Sequence, residues 1–339
     1  MDFLLDYAGF LARAVTVLVV VVAILSLAAA MRSRGRTRSG DLSVTSLNDF
    51  YLDLKENLEC SVLDKAQLKE LKKANKAKQQ QDKKSTSEKK RVYVLDFDGD
   101  IKASAAENLR HEITALLSIA KPSDEVVLRL ESGGGMVHSY GFAASQLARI
   151  RQAQIPLTVC IDKVAASGGY MMACIADRIL VAPFAMLGSI GVVAQLPNFH
   201  RVLKKHDVDY EMLTAGEYKR TLTVFGENTD KGREKFQEDL ERIHQLFKQF
   251  VTRYRPALDV DAVATGEVWF GVEALEQLLA DEVKTSDEYV NQRIHQADVF
   301  EVHFVRPKRL QDRLASSVSA AMDRLVLTWV SRLHNQRFW

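Results

Sequence analysis

Two glycine-rich turns in this sequence could hold chemistry. In Ala165-Ala166-Ser167-Gly168-Gly169-Tyr170 a serine stands between small residues, after one apolar run and before a helical pattern. Small neighbours permit a sharp turn that exposes the hydroxyl, and the N–H of Gly168 would stand at the positive end of the following helix. The pattern is not G-x-S-x-G, and a serine capping a helix accounts for the same residues. The other turn is Arg129-Leu130-Glu131-Ser132-Gly133-Gly134-Gly135-Met136. Consecutive glycines let the backbone approach a ligand and leave N–H groups pointing outward, where they can hold an anion. No Lys-Ser/Thr follows, as a phosphate loop requires, so an oxyanion hole for acyl transfer fits better than a phosphate cradle.

A serine needs a base. His111, His138, His200, His206, His244, His295, His303 and His334 are scattered, and none lies in a glycine-rich turn beside an acid. A Ser-His-Asp triad is therefore open but unsupported. The other candidate is Lys219 in Ala215-Gly216-Glu217-Tyr218-Lys219-Arg220. A lysine acts as a base only where its pKa falls from about 10.4 by ~2 to 3 units, roughly 3 to 4 kcal/mol against the charged form. Read alone, Lys219 is a solvated surface residue, as nearly all lysines are.

The elements that must position these groups follow from periodicity. Strands are expected at Val92 to Phe97, Glu125 to Leu130, Leu157 to Ile161, Arg178 to Val181, Gly191 to Ala194, Tyr210 to Leu213 and Val299 to Phe304. Helices are expected at Ala105 to Ala120, Ser139 to Ala153, Gly168 to Ala176, residues 197–206, residues 229–256 and Val272 to Ala280. Such alternation implies an α/β domain with a largely parallel sheet.

Outside that domain the texture changes. Ala14 to Met31 is an uncharged run of 18 residues, about the minimum to cross a bilayer, and reads as a membrane anchor. Ala28 and Ala30 also suit a cleavable leader, but Asp2 and Asp6 replace a basic n-region. Arg32, Arg34, Arg36 and Arg38 follow at once and place the downstream chain in the cytoplasm. Leu47, Phe50, Tyr51, Leu54 and Leu58 mark an amphipathic helix that packs on something; Lys65 to Lys90 is a solvated helix or spacer. Leu310, Leu314, Val318, Ala321, Leu325, Trp329 and Leu333 form an apolar stripe that suits a bilayer surface or an oligomer interface equally. The expected divisions are thus 1–40 membrane anchor with basic flank, 41–90 charged helical spacer, 91–305 catalytic domain and 306–339 amphipathic C-terminal helix. The 339 residues carry a formal charge of only +2, which says little about partners. Cys60, Cys160 and Cys174 make neither a metal-ligand spacing nor a disulfide framework.

RLESGGGMV, DKVAASGGYMMA, APFAMLGSIGVV and TAGEYKRTLT, in this order, resemble the signal peptide peptidase A family over almost the whole chain. The resemblance implies Ser167 as nucleophile, Lys219 as general base 52 positions later, and Ser189 as the hydroxyl that supports the lysine. It implies oxyanion donors at Gly168 and at Gly134 or Gly135, and a ClpP/crotonase-like spiral of ββα units. Homo-oligomeric rings or domes follow, in some of which the lysine comes from a neighbouring subunit. The expected partners are peptide substrates, such as remnant signal peptides or misfolded membrane-associated chains, and the lipid bilayer, with no nucleic acid, metal or cofactor. The expected location is the bacterial inner membrane, single-pass; many members work outside the cytoplasm, against the arginine cluster. Gly133 departs from the family, which commonly has proline there, so a looser turn is expected. A crotonase-like acyl-CoA enzyme and a catalytically inert membrane scaffold are the rival readings. Asp96-Phe97-Asp98-Gly99-Asp100 imitates the start of a haloacid-dehalogenase phosphatase without the remaining motifs, and reads as a strand followed by a polar turn.

Overall fold

Runs such as Val126-Val127-Leu128 and Ile179-Leu180-Val181 have no polar face to offer water. In the computed structural model, which describes residues 40–70 and 90–305, they are strands buried on both sides. The described strands are β1 (Asp41–Ser46), β2 (Arg91–Gly99), β3 (Glu125–Ser132), β4 (Leu157–Ile161), β5 (Val164–Ala166), β6 (Arg178–Val181), β7 (Met186–Gly188), β8 (Val268–Phe270), β9 (Glu282–Val283) and β10 (Asp298–Val305). The main row runs β1-β10-β2-β3-β4-β6-β9, and β5, β7 and β8 branch from it at β3. From β10 through to β9 the neighbours in that row are parallel, as are β3 with β5 and β5 with β7. β7 and β8 run antiparallel. The mixed α/β class expected from alternation is therefore the one observed.

The principal helices are α1 (Leu47–Val62), α2 (Ala106–Leu117), α3 (Val137–Gln152), α4 (Gly168–Ala173), α5 (Asp230–Tyr254) and α6 (Ser286–Ile294). Two of the starts have a local cause in capping side chains. Thr229 caps α5 by accepting from Gly232 N–H at 3.1 Å. Thr285 and Glu288 close a reciprocal capping box on α6.

The period of two along β2 divides its side chains between two clusters. Tyr93, Leu95 and Phe97 face the larger core with Leu109, Ile113 and Leu147 of the covering helices. Val92 and Val94 face the smaller one with Val127, Cys160 and Tyr289. Each fully buried Leu, Val or Phe contributes about 1.5 to 3 kcal/mol relative to exposure. Cys174 also lies in the larger core, and burial pushes the Cys160 thiol up to about 12, so both behave as small apolar residues.

Some expectations fail for identifiable reasons. Gly191 to Ala194 and Tyr210 to Leu213 are not strands in the structure. A strand needs a neighbour for its backbone groups, and no strand of the sheet runs beside either segment; Val193 and Leu213 are 80% and 94% exposed. α1 packs only at its start, through Leu47, Tyr51 and Asn48, whose amide donates to Ile294 O and Ala297 O at 3.0 Å. Phe50, Leu54 and Leu58 remain exposed. The expected helix Val272 to Ala280 is shorter, ending at Glu276. The short strands β5, β7, β8 and β9 are absent from the expected set, because two or three residues show no period.

No helix among the described residues is long and apolar enough to cross a membrane. The anchor at Ala14 to Met31, most of the charged spacer and the C-terminal stripe lie outside the described residues.

Candidate active site

β5 ends at Ala166 and α4 begins at Gly168, leaving Ser167 one residue in which to change direction. It does so at φ 51° and ψ −115°, a conformation that costs a residue with a side chain on the order of 1 to 3 kcal/mol. Neighbouring bonds hold it there: Ser167 N–H donates to Gly188 O at 2.8 Å, and Ser167 O accepts from Met171 N–H at 2.9 Å. Position 168 must be glycine, since a Cβ would lie 2.4 Å from the Tyr140 ring. Its N–H, the first of α4, has no acceptor among the described residues.

The turn after β3 packs directly on this elbow. Gly134 has φ +86°, and a Cβ there would lie 2.7 Å from both Ala166 O and Ser167 Cβ. Its N–H donates to Ser132 Oγ at 3.0 Å and is thereby engaged. Gly135 lies against Ile101 O, 2.1 Å from where a Cβ would stand. Met136 N–H donates to that same carbonyl at 2.8 Å, and Gly135 N–H keeps no acceptor among the described residues. Two uncommitted N–H groups, of Gly135 and Gly168, thus belong to backbone that packs together beside the Ser167 side chain.

Gly133 is different. Nothing lies within 4 Å of a Cβ built there, and its φ is outside the left-handed region. Gly133→Ala should therefore fold normally and gain about 0.4 to 1 kcal/mol by restricting the unfolded chain, read as a rise in the denaturant midpoint. A loss of more than 1 kcal/mol would mean that the turn needs glycine there after all.

A third turn follows β7. Gly188 and Ser189 take φ +97° and +48°, and Ser189 N–H donates to Glu267 O at 2.6 Å. The next carbonyl, of Ile190, accepts from His244 Nε2–H of α5 at 3.2 Å. These three turns and α5 enclose a cleft of about 760 Å³ that includes Ser167, Ser189, Gly134 and Gly135. Beneath Ser167 an apolar recess of about 20 Å³ lies between Met171, Val192, Ile243 and Phe247. That is room for roughly one methyl group or one water.

Lys219 is elsewhere. It lines a separate cavity of about 690 Å³ with Tyr210, Met212, Leu213 and Phe225, which shares no residue with the serine cleft. Its turn is tied to α5, where Lys231 pairs with Glu217 at 2.7 Å and Lys235 lies 5.6 Å from the Tyr218 ring. The bond from Lys231 holds the Glu217 carboxyl below its usual range. Lys219 itself is exposed, and its amine has no hydrogen bond or ion pair among the described residues. Among the described residues Ser167, Ser189, Gly134 and Gly135 line one cleft, Gly168 lines the recess beside it, and Lys219 lines another cavity.

Sequence reasoning passed over Ser132, Tyr140 and His244. Tyr140 reads as one apolar position on a helix face, and His244 sits in a charged helix with no turn to mark it. In the dehalogenase-like stretch, Asp96 is bound by Arg129, which also binds Glu301, and His303 lies 3.1 Å from it. Asp96 is thus engaged in an ion-pair network, and the stretch itself is the end of β2 and its turn.

Comparison with known proteins gives the same family twice. The profile described as Peptidase family S49 N-terminal matches residues 2–147, and that of Peptidase family S49 matches residues 149–299. "Probable protease SohB" of Haemophilus influenzae is 49% identical over 321 residues, covering 91% of each chain. "Probable protease SohB" of Buchnera aphidicola subsp. Schlechtendalia chinensis is 47% identical, covering 86% of this chain and 100% of its own. A solved membrane-bound stomatin-specific protease overlaps 66% of this chain at TM-score 0.42 and 14% identity.

Proposed function

The chain belongs to peptidase family S49, alongside the SohB proteases, and from that premise we propose a membrane-anchored serine endopeptidase with Ser167 as nucleophile and Lys219 as general base. The observation that carries this reading is the elbow: a strained, half-buried serine beside two N–H groups, of Gly135 and Gly168, that none of the described residues engages. Donors fixed in advance where negative charge develops are worth about 10² to 10³ in rate each.

The mechanism runs as follows. An extended peptide lies between the turn at 133–138 and the segment Gly191 to Ala194, whose backbone lacks a strand neighbour and so can pair with it. The methyl-sized recess favours alanine, or a residue little larger, before the scissile bond. Ser167 Oγ attacks the carbonyl as the lysine amine takes its proton, and the oxyanion is held by Gly135 and Gly168. The ammonium then protonates the departing amine, and water hydrolyses the acyl-serine by the same base.

A lysine works as a base only where burial or hydrogen bonds favour its neutral form. Among the described residues of the single chain Lys219 finds neither, so we assign the second half of the dyad to a neighbouring copy. Exposed Leu213, Met212 and Tyr218 around Lys219 are what such a copy would cover, and Ser189 would meet the arriving amine. This agrees with ring or dome assemblies. The branching of β5, β7 and β8 from β3 supports a ClpP/crotonase-like spiral. Anchoring through Ala14 to Met31 places substrates at the bilayer, with remnant signal peptides or misfolded membrane-associated chains as the expected class.

A fluorophosphonate probe tests the nucleophile. The native chain should be labelled on one serine, and Ser167→Ala should not be labelled. An unlabelled native chain would leave the acyl-CoA enzyme and the inert scaffold as the surviving readings.

A further inference from the structure

The segment Asp98-Gly99-Asp100-Ile101, where β2 ends and its turn begins, has no part in the reaction described above, yet the structure builds the serine site on it. Gly99 is glycine because a Cβ would stand 2.5 Å from Ser132 Oγ and 2.6 Å from Tyr140 Oη. Asp100 holds this turn through its carboxylate, which accepts from Ser104 N–H and Oγ–H at 2.7 Å. Its carbonyl accepts from Tyr140 Oη–H at 2.8 Å. Tyr140 Oη lies 2.5 Å from Ser132 Oγ.

The donors can be assigned. The phenol has one proton and gives it to Asp100 O, so Ser132 Oγ–H serves the 2.5 Å contact to Tyr140 Oη in preference to the 3.4 Å contact to Gly99 O, and Ser132 Oγ accepts from Gly134 N–H. This is one unidirectional chain from the glycine turn to the β2 turn, in which each bond polarises the next. Ser132 is 2% exposed and Tyr140 is fully buried, so water does not compete for the bonds. Burial also raises the phenol's pKa, which keeps it a donor.

The same phenol serves the other half of the site. Its ring is the surface against which Gly168 lies, where a Cβ would meet Cγ at 2.4 Å. One side chain therefore touches both backbones that present uncommitted N–H groups: Gly168 through the ring, and the Gly134-Gly135 turn through Ser132. We infer that Tyr140, with Ser132, is a positioning residue that sets the separation of the Gly135 and Gly168 N–H groups and so tunes the oxyanion hole. The inference rests on the peptidase reading of Ser167.

Tyr140→Phe keeps the ring against Gly168 and removes only the hydroxyl; Ser132→Ala breaks the chain at its next link. The full-length chain in detergent is titrated with a fluorophosphonate to count competent sites, and hydrolysis of a fluorogenic peptide with alanine before the scissile bond is measured per titrated site. Misplacement of an oxyanion donor by a fraction of an ångström should lower kcat on the order of tenfold to a hundredfold in either variant, with KM within about twofold. The double variant should fall no further than the weaker single, because both act through one chain. A kcat per site within twofold of native in both variants overturns the inference, as does an additive double variant or a change confined to KM. Loss of competent sites with native kcat in the remainder assigns these residues to folding alone and also overturns it; should one variant not fold, the other is read by the same criteria. A native chain that is never labelled overturns the peptidase reading and this inference with it.

Discussion

Two chains, one carrying Ser167→Ala and the other Lys219→Ala, should each be inactive alone and regain roughly a quarter of the native rate when assembled together at equal amounts. A site built between copies takes its serine from one chain and its lysine from the next, so one pairing in about four is intact. Each single variant should lose on the order of 10⁴-fold or more in kcat/KM, since members of one catalytic unit fail together. The lysine variant carries a useful control. Lys219 is exposed and has no side-chain partner among the described residues, so its truncation should leave stability within about 0.5 kcal/mol and the loss cannot be ascribed to unfolding. Assembly is checked with two affinity tags. Co-purified mixed oligomers that stay inactive would rule out a base supplied in trans.

Gly134→Ala should damage both stability and activity. The residue has φ +86°, where a side chain is strained, and the new methyl would point at Ser167 Cβ and Ala166 O, each 2.7 Å away. Backbone strain alone costs about 1 to 3 kcal/mol. Relief of the contact must move the nucleophile or the turn, and about 1 Å of displacement costs on the order of 10²-fold in rate. We expect a clear fall in melting temperature together with at least that loss of kcat per folded chain. The same methyl one residue earlier, at Gly133, meets open space and should be harmless. A Gly134→Ala chain with native kcat would mean that this turn does not buttress the serine.

The serine, both glycine turns and the α/β class could be read from the sequence because each leaves a local mark: small residues at a reversal, or an apolar run of strand length. Long-range partnership leaves none. Nothing about Tyr140 distinguishes it from its apolar neighbours on α3, because its importance lies in Asp100 O and Ser132 Oγ, which are distant in sequence or on another element. His244 has no adjacent acid or glycine-rich turn to mark it in the sequence, yet it faces the serine cleft and holds the Ile190 carbonyl. Gly191 to Ala194 shows the converse failure. Its valines have strand character, but strand formation depends on a partner that the chain does not supply. Lys219 could be named from a motif, whereas the surroundings that would make it a base depend on packing that no stretch of one chain encodes.

The parting of alcohol and amine into different cavities also bears on safety during synthesis. On the reading given above, a nascent copy leaving the ribosome carries an idle hydroxyl and can cut none of the proteins around it. Cutting power would then grow with crowding, so turnover per molecule should climb with expression level instead of staying flat.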